Sequence, residues 1–151
     1  MRSHNNQIKT LNTLITTLYD GENGYKEAAE EVSSVTLATR FRQLAQQRYD
    51  FGHEIKPFIK GLDGEPNKGG SATASIHRVW MDLTAAVADN DEEVILKECI
   101  RGEESAVSSY EEALEGTTLT GAARETVITQ IEKISHTLVE LRTMVDSYET
   151  A

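Results

Sequence analysis

Glu22, Arg48 and Glu103 are charged residues at positions where the hydrophobic rhythm of the chain calls for an apolar side chain. The first rhythm runs Leu11, Ile15, Leu18, Glu22, Tyr25, Ala29, Val32. The second runs Leu37, Phe41, Leu44, Arg48, Phe51, Ile55, Phe58, and the third Leu96, Cys99, Glu103, Ala106, Tyr110. Steps of three and four keep side chains on one face of a helix. A charge on such a face is costly to bury alone, so it must be paired or bound to a metal. Two glutamates facing each other inside a bundle are part of the ligand set of a di-iron carboxylate centre. The remainder is a Glu-x-x-His pair on each of the other two helices. An arginine between carboxylates offers a different chemistry: it stays charged and can bridge them into a neutral layer.

Four long amphipathic helices are needed to position these residues. Helix A is predicted over about 5–32 and helix B over about 35–60, joined at Ser33 and Ser34, either of which can cap helix B. Gly52 and Pro57 fall late in helix B, where a kink or an early end is expected. The run Gly61 to Gly70 is a loop, and a shorter helix is predicted from Ser71 to about Ala88, with Ile76, Val79, Trp80, Leu83 and Val87 on its apolar side. Helix C follows to Glu115, where Gly116 is a natural C-cap. Helix D is predicted over about 120–148 on the stripe Val127, Ile131, Ile134, Leu138, Leu141, Val145. Short turns make A–B and C–D antiparallel hairpins, and the long connection between B and C can carry the chain from one end of the bundle to the other. The expected fold is therefore all-α: one ferritin-like four-helix-bundle domain over residues 1–151, two antiparallel hairpins with a long helical crossover.

Folding each hairpin about its turn brings Glu22, Arg48 and Glu103 to one height. There, helix B presents Arg48 and Phe51, and helix D presents Ile131 and Ile134 with Gln130 at the edge. These are not Glu-x-x-His pairs. The layer is expected to be a buried Glu22–Arg48–Glu103 ion triad standing where a di-iron bundle keeps its metal. Gly21 and Gly102, each preceding a glutamate, are expected to let a neighbouring backbone approach. Tyr19, Tyr25, Tyr49 and Tyr110 flank the layer, and their hydroxyls could serve the carboxylates. Asp50 and His53 have metal-pair spacing, but they and His136 point away from the apolar stripes. Cys99 reads as core filler.

Several segments resemble a known group. Tyr19-Asp20-Gly21-Glu22-Asn23-Gly24-Tyr25, Gln46-Gln47-Arg48 with Phe51, Gly64-Glu65-Pro66, His77-Arg78-Val79-Trp80 and Cys99-Ile100-Arg101-Gly102-Glu103 with Tyr110 are similar to a bacterial ferritin-like family of unknown function. More distantly, the two Gly-Glu pairs resemble those of rubrerythrins, whose corresponding glutamates bind iron. That resemblance implies Glu22 and Glu103 as candidate metal ligands. The first resemblance implies a fold and no activity.

Composition excludes several classes. The 151 residues carry 15 Lys and Arg against 25 Asp and Glu, a net charge of −10, which argues against nucleic acid or an anionic membrane surface as partner. No apolar run reaches the length of a membrane span, and no signal peptide is recognisable. One cysteine excludes an internal disulfide, and a cytoplasmic location is expected. The expected function is a non-enzymatic structural or interaction protein without a cofactor, with a homodimer as a possible assembly and the protein partner unknown. The alternative is a degenerate metalloprotein that uses iron or manganese on peroxide or oxygen, with Glu22 and Glu103 as ligands helped by Asp50, His53 or His136.

Overall fold

The apolar rhythms fold as the spacing predicts. The computed structural model describes residues 2–69 and 92–150, and these form four helices: α1 (Arg2–Glu31), α2 (Val35–Gly61), α3 (Glu92–Leu114) and α4 (Gly121–Thr150). The helix expected around Trp80 lies outside the described residues. No strand occurs among the described residues, and the architecture is an all-α four-helix bundle.

The helix ends follow from local chemistry. Ser34 caps α2: its backbone is extended, and its hydroxyl accepts the Leu37 N–H at 3.2 Å. Pro57 does not end α2, which continues to Gly61. The exit from α2 is a six-to-one, five-to-two hydrogen-bonded turn. The Gly64 N–H donates to the Ile59 carbonyl at 2.9 Å, and the Asp63 N–H to the Lys60 carbonyl at 3.0 Å. Asp63 occupies the left-handed position of this turn with φ 63°. Glycine is favoured there, and a carboxylate at the negative end of a helix is misplaced. Asp63→Gly is expected to raise stability by about 0.5–1 kcal/mol, read from denaturant midpoints at unchanged m-value. A loss would mean that the Asp63 side chain holds the turn.

The relative directions of the helices come from contacts at the two ends. At the upper end the Ser34 N–H donates to Glu92 Oε1 at 3.0 Å, so the α1–α2 turn touches the start of α3. Ala28, Val32, Leu37, Phe41, Ile95, Leu96, Leu141 and Val145 fill the core there. At the lower end, Leu11, Leu14, Ile55, Ile59, Leu119 and Val127 form a second apolar group. The chain thus leaves α2 at the bottom and enters α3 at the top. Residues 62–91 connect opposite ends of a bundle whose 27-residue α2 is about 40 Å long. The start of this connection climbs along α1. Gly64 lies against Ile8, where an added Cβ would come within 2.9 Å of that side chain. Asn67 Nδ2 donates to the Asn12 carbonyl at 3.2 Å and to Thr16 Oγ1 at 3.0 Å. The Asn12 amide oxygen accepts the Asn67 N–H at 2.7 Å.

In cross-section α1 packs against α2 and α3, and α4 packs against α3 and α2. The diagonals α1–α4 and α2–α3 do not touch through their backbones. The α2–α4 side is tied by a two-pronged ion pair from Arg40 to Glu140, at 2.6 and 2.7 Å. The Arg40 hydrogen bond holds the Glu140 carboxyl below its ordinary value, against the opposing effect of partial burial. No helix among the described residues is long and apolar enough to cross a membrane.

Candidate functional site: a buried charged layer at mid-bundle

Between the upper and lower apolar groups the bundle carries polar side chains. Glu22, Arg48, Glu103, Gln130 and Thr137 are all buried, and Arg48 is 1% exposed and Glu103 0%. Arg48 projects from α2 across the bundle axis to the diagonal helix α3. Its Nη1 donates to Glu103 Oε1 at 2.6 Å and its Nη2 to Oε2 at 2.7 Å. This end-on fork is the strongest geometry available to the two groups. The third nitrogen, Nε, donates to Gln47 Oε1 at 3.2 Å. The Tyr25 ring lies under the guanidinium, 5.5 Å from centroid to Cζ. Burial alone would lower the Arg48 pKa, but the negative charge and hydrogen bonds of Glu103 outweigh it and hold the group above its ordinary value. Arg48 is therefore a permanent cation in the core.

Gly21 packs against the Arg48 side chain, at a distance where an added Cβ would make ordinary van der Waals contact. A Cβ there would stand 3.6 Å from Arg48 Cγ and 3.7 Å from Nη1. The glycine thus faces the stem and head of the arginine, and not a neighbouring backbone as expected from sequence.

Glu22 does not join the fork. Its Oε2 accepts from Lys26 Nζ at 2.7 Å, one helical turn on, and the Lys26 side chain is 58% exposed. The three-membered triad expected from sequence is thus replaced by a bidentate Arg48–Glu103 pair, with Glu22 at the α1–α2 rim turned to its own helix. The reason is geometric. The parallel donors of one guanidinium edge match a single carboxylate, and Glu103 takes both.

Gln130 is the residue that the sequence stripe misplaced. It is fully buried, whereas Ile131 is only partly so. Tyr110 donates its hydroxyl to Gln130 Oε1 at 2.7 Å. Gln130 Nε2 donates to the Phe51 carbonyl at 3.1 Å and to Glu54 Oε1 at 2.9 Å. The amide thus links α2, α3 and α4 just below the ion pair. The spacing Ala123, Val127, Gln130, Ile134, Thr137, Leu141 alternates in fours and threes and contains the signal; the polar type of Gln130 conceals it.

The four tyrosines separate into two pairs. Tyr25 and Tyr110 are fully buried. Burial raises both phenols well above the ordinary tyrosine range; the charge of Glu103 adds to this and Arg48 opposes it. Both hydroxyls therefore keep their protons, and that of Tyr110 is the donor to Gln130. Tyr19 stands at the α1–α2 rim, where Lys56 Nζ donates to its hydroxyl at 3.1 Å and lies over its ring. Tyr49 is 47% exposed and meets His53 edge-on at 4.4 Å. Cys99 is buried, and burial first, then the charges of Glu103 and Glu98, push its thiol far above the ordinary range. It is an unreactive part of the core.

The remaining candidate ligands do not converge on Glu103. Asp50, His53 and His136 are exposed, and Asp50 accepts from Gln46 at 3.0 Å. No group of three or more His, Cys, Asp or Glu side chains that could hold a metal ion occurs among the described residues.

These features define a four-helix bundle with a salt link through its axis. The chain matches the family model described as a domain of unknown function, DUF2383, over residues 6–116, and belongs to that family. The matched span holds Glu22, Arg48 and Glu103 and ends at the C-cap glycine of α3, before Gln130. No curated protein matches the chain.

Proposed function

We propose that this chain is a ferritin-like bundle protein that serves as a structural or interaction module and not as an enzyme. In this reading, the Arg48–Glu103 pair stands where di-iron bundles carry their metal. One observation carries it: both carboxylate oxygens of Glu103 are taken by Arg48 at the centre of the bundle. A cation at that position would have to displace a guanidinium held by two charge-assisted bonds. It would gain Glu22 as a second carboxylate and no imidazole, since α2 presents Arg48 and Phe51 and α4 presents Gln130 and Ile134. The single long crossover between two antiparallel hairpins supports the ferritin-like ancestry, because such folds use that connection.

The test is metal content. Protein purified without chelators and then incubated anaerobically with ferrous iron is expected to retain far less than one equivalent of iron, manganese or zinc after desalting, by mass spectrometry of the elements. Glu22→Ala is expected to leave that value unchanged. Stoichiometric metal that disappears in Glu22→Ala would overturn the proposal in favour of a metalloprotein that uses Glu22 and Glu103.

A further inference from the structure

Glu22 interrupts an apolar stripe, yet it makes no direct ion pair with Arg48, whose carboxylate partner is Glu103. The two side chains nevertheless line the same cavity. It lies between α1 and α2, is bounded also by Tyr19, Tyr49, Gly52 and Lys56, and has about 10 Å³ of room. That is on the order of one water molecule. A Cβ placed on Gly52 would meet nothing within 4 Å, so the glycine leaves this space open. At Glu22 and Tyr49 the cavity meets a wider groove between the same two helices, of about 390 Å³, so it has a route to solvent.

The donors and acceptors around this space are complementary. A guanidinium has five N–H groups. Those of Arg48 make three hydrogen bonds, two to Glu103 and one to Gln47, which leaves one N–H on each terminal nitrogen. Nη1 is the nitrogen that faces α1 at Gly21, the neighbour of Glu22. Glu22 uses Oε2 for Lys26 and has acceptor capacity on Oε1. The Tyr19 hydroxyl accepts from Lys56 and still has a proton to donate. A buried water makes two to four such bonds, and polar groups too far apart for direct contact are routinely joined by one.

We infer that the α1–α2 cavity is a binding site for a single water, which accepts from Arg48 Nη1 and donates to Glu22. The bridge makes Glu22 the third member of the charged layer at one remove. Gly52 borders the water's space, and its missing side chain keeps that border open. This inference deepens the structural reading of the layer and rests on it. The two fail separately: metal analysis decides the reading of the layer, and the location of one solvent molecule decides the bridge.

The test is a high-resolution crystal structure of the full chain, paired with the Gly52→Ala variant. A solvent peak is expected within about 2.7–3.2 Å of both Arg48 Nη1 and a Glu22 oxygen. No peak, a peak reaching only one of them, or a Glu22 carboxylate in direct contact with Arg48 would overturn the inference. Alanine at position 52 narrows the cavity without a clash and is the better helix former. Narrowing a dry cavity would therefore raise the melting temperature. Displacing a bridging water is expected to lower it by a few degrees, and in a Glu22→Leu background the same substitution is expected to raise it. A rise in the otherwise native chain would also overturn the bridge.

Discussion

Arg48→Met is expected to destabilise the bundle by roughly 3–5 kcal/mol, because it leaves the Glu103 carboxylate buried with its charge uncompensated. For a chain of this size, that corresponds to a fall of roughly 6–20 °C in melting temperature. The size of the effect comes from the charge left behind and not from the attraction removed. Desolvation of both groups offsets much of the Coulomb gain, so removing both should cost far less. Arg48→Met combined with Glu103→Leu is expected to recover most of the loss and to match or exceed the native chain in stability. The coupling energy from the double-mutant cycle reads the pair directly. Glu22 need not be changed for this recovery, since Lys26 neutralises it. If Arg48→Met left the melting temperature where it was, a buried pair at this position would be excluded. If recovery required Glu22 to be made apolar as well, the charge balance of the layer would extend to α1.

The four helices could be read from the chain because their apolar positions keep helical spacing and their ends carry local signals, Ser34 before α2 and Gly116 after α3. The crossed topology was legible from one asymmetry: two short turns and one long connection. Burial of Glu22, Arg48 and Glu103 was legible because each interrupts an otherwise apolar stripe. Their pairing was not, since it depends on how far each side chain reaches across the axis, and spacing along one helix does not fix that. A local clue existed for Glu22: Lys26 stands four residues on, the favourable order for a glutamate–lysine pair on one helix. Gln130 was missed for the opposite reason. The apolar side chain of Ile131 drew the stripe one residue away from the strict alternation of threes and fours. Thr137 shares that concealment; it is buried because its hydroxyl returns to the Lys133 carbonyl at 3.1 Å, which satisfies it within its own helix.

Gln130→Leu is the second substitution with a large expected effect, a loss of about 1–3 kcal/mol. Leucine is close in size, so packing changes little and the loss is one of hydrogen bonds. The Tyr110 hydroxyl, fully buried and held in its protonated form, would lose its acceptor, and a donor left unsatisfied in the core carries the full desolvation cost. Tyr110→Phe alone also costs stability, since it strips Gln130 Oε1 of its partner, but it leaves the amide bonded to the Phe51 carbonyl and Glu54. Gln130→Leu combined with Tyr110→Phe is therefore expected to be more stable than Gln130→Leu alone, because no unsatisfied hydroxyl remains. Urea unfolding at constant m-value measures all three. A Gln130→Leu variant as stable as the native chain would mean that Tyr110 finds another acceptor and that the amide is not the joint between α2, α3 and α4. The expected loss also bears on the ion pair above it. The Gln130 bond to Phe51 fixes α2 one turn below Arg48, so loosening it lets the arginine drift relative to Glu103. Coupling between Gln130→Leu and Arg48→Met in a double-mutant cycle should then exceed the few tenths of a kcal/mol expected of independent sites.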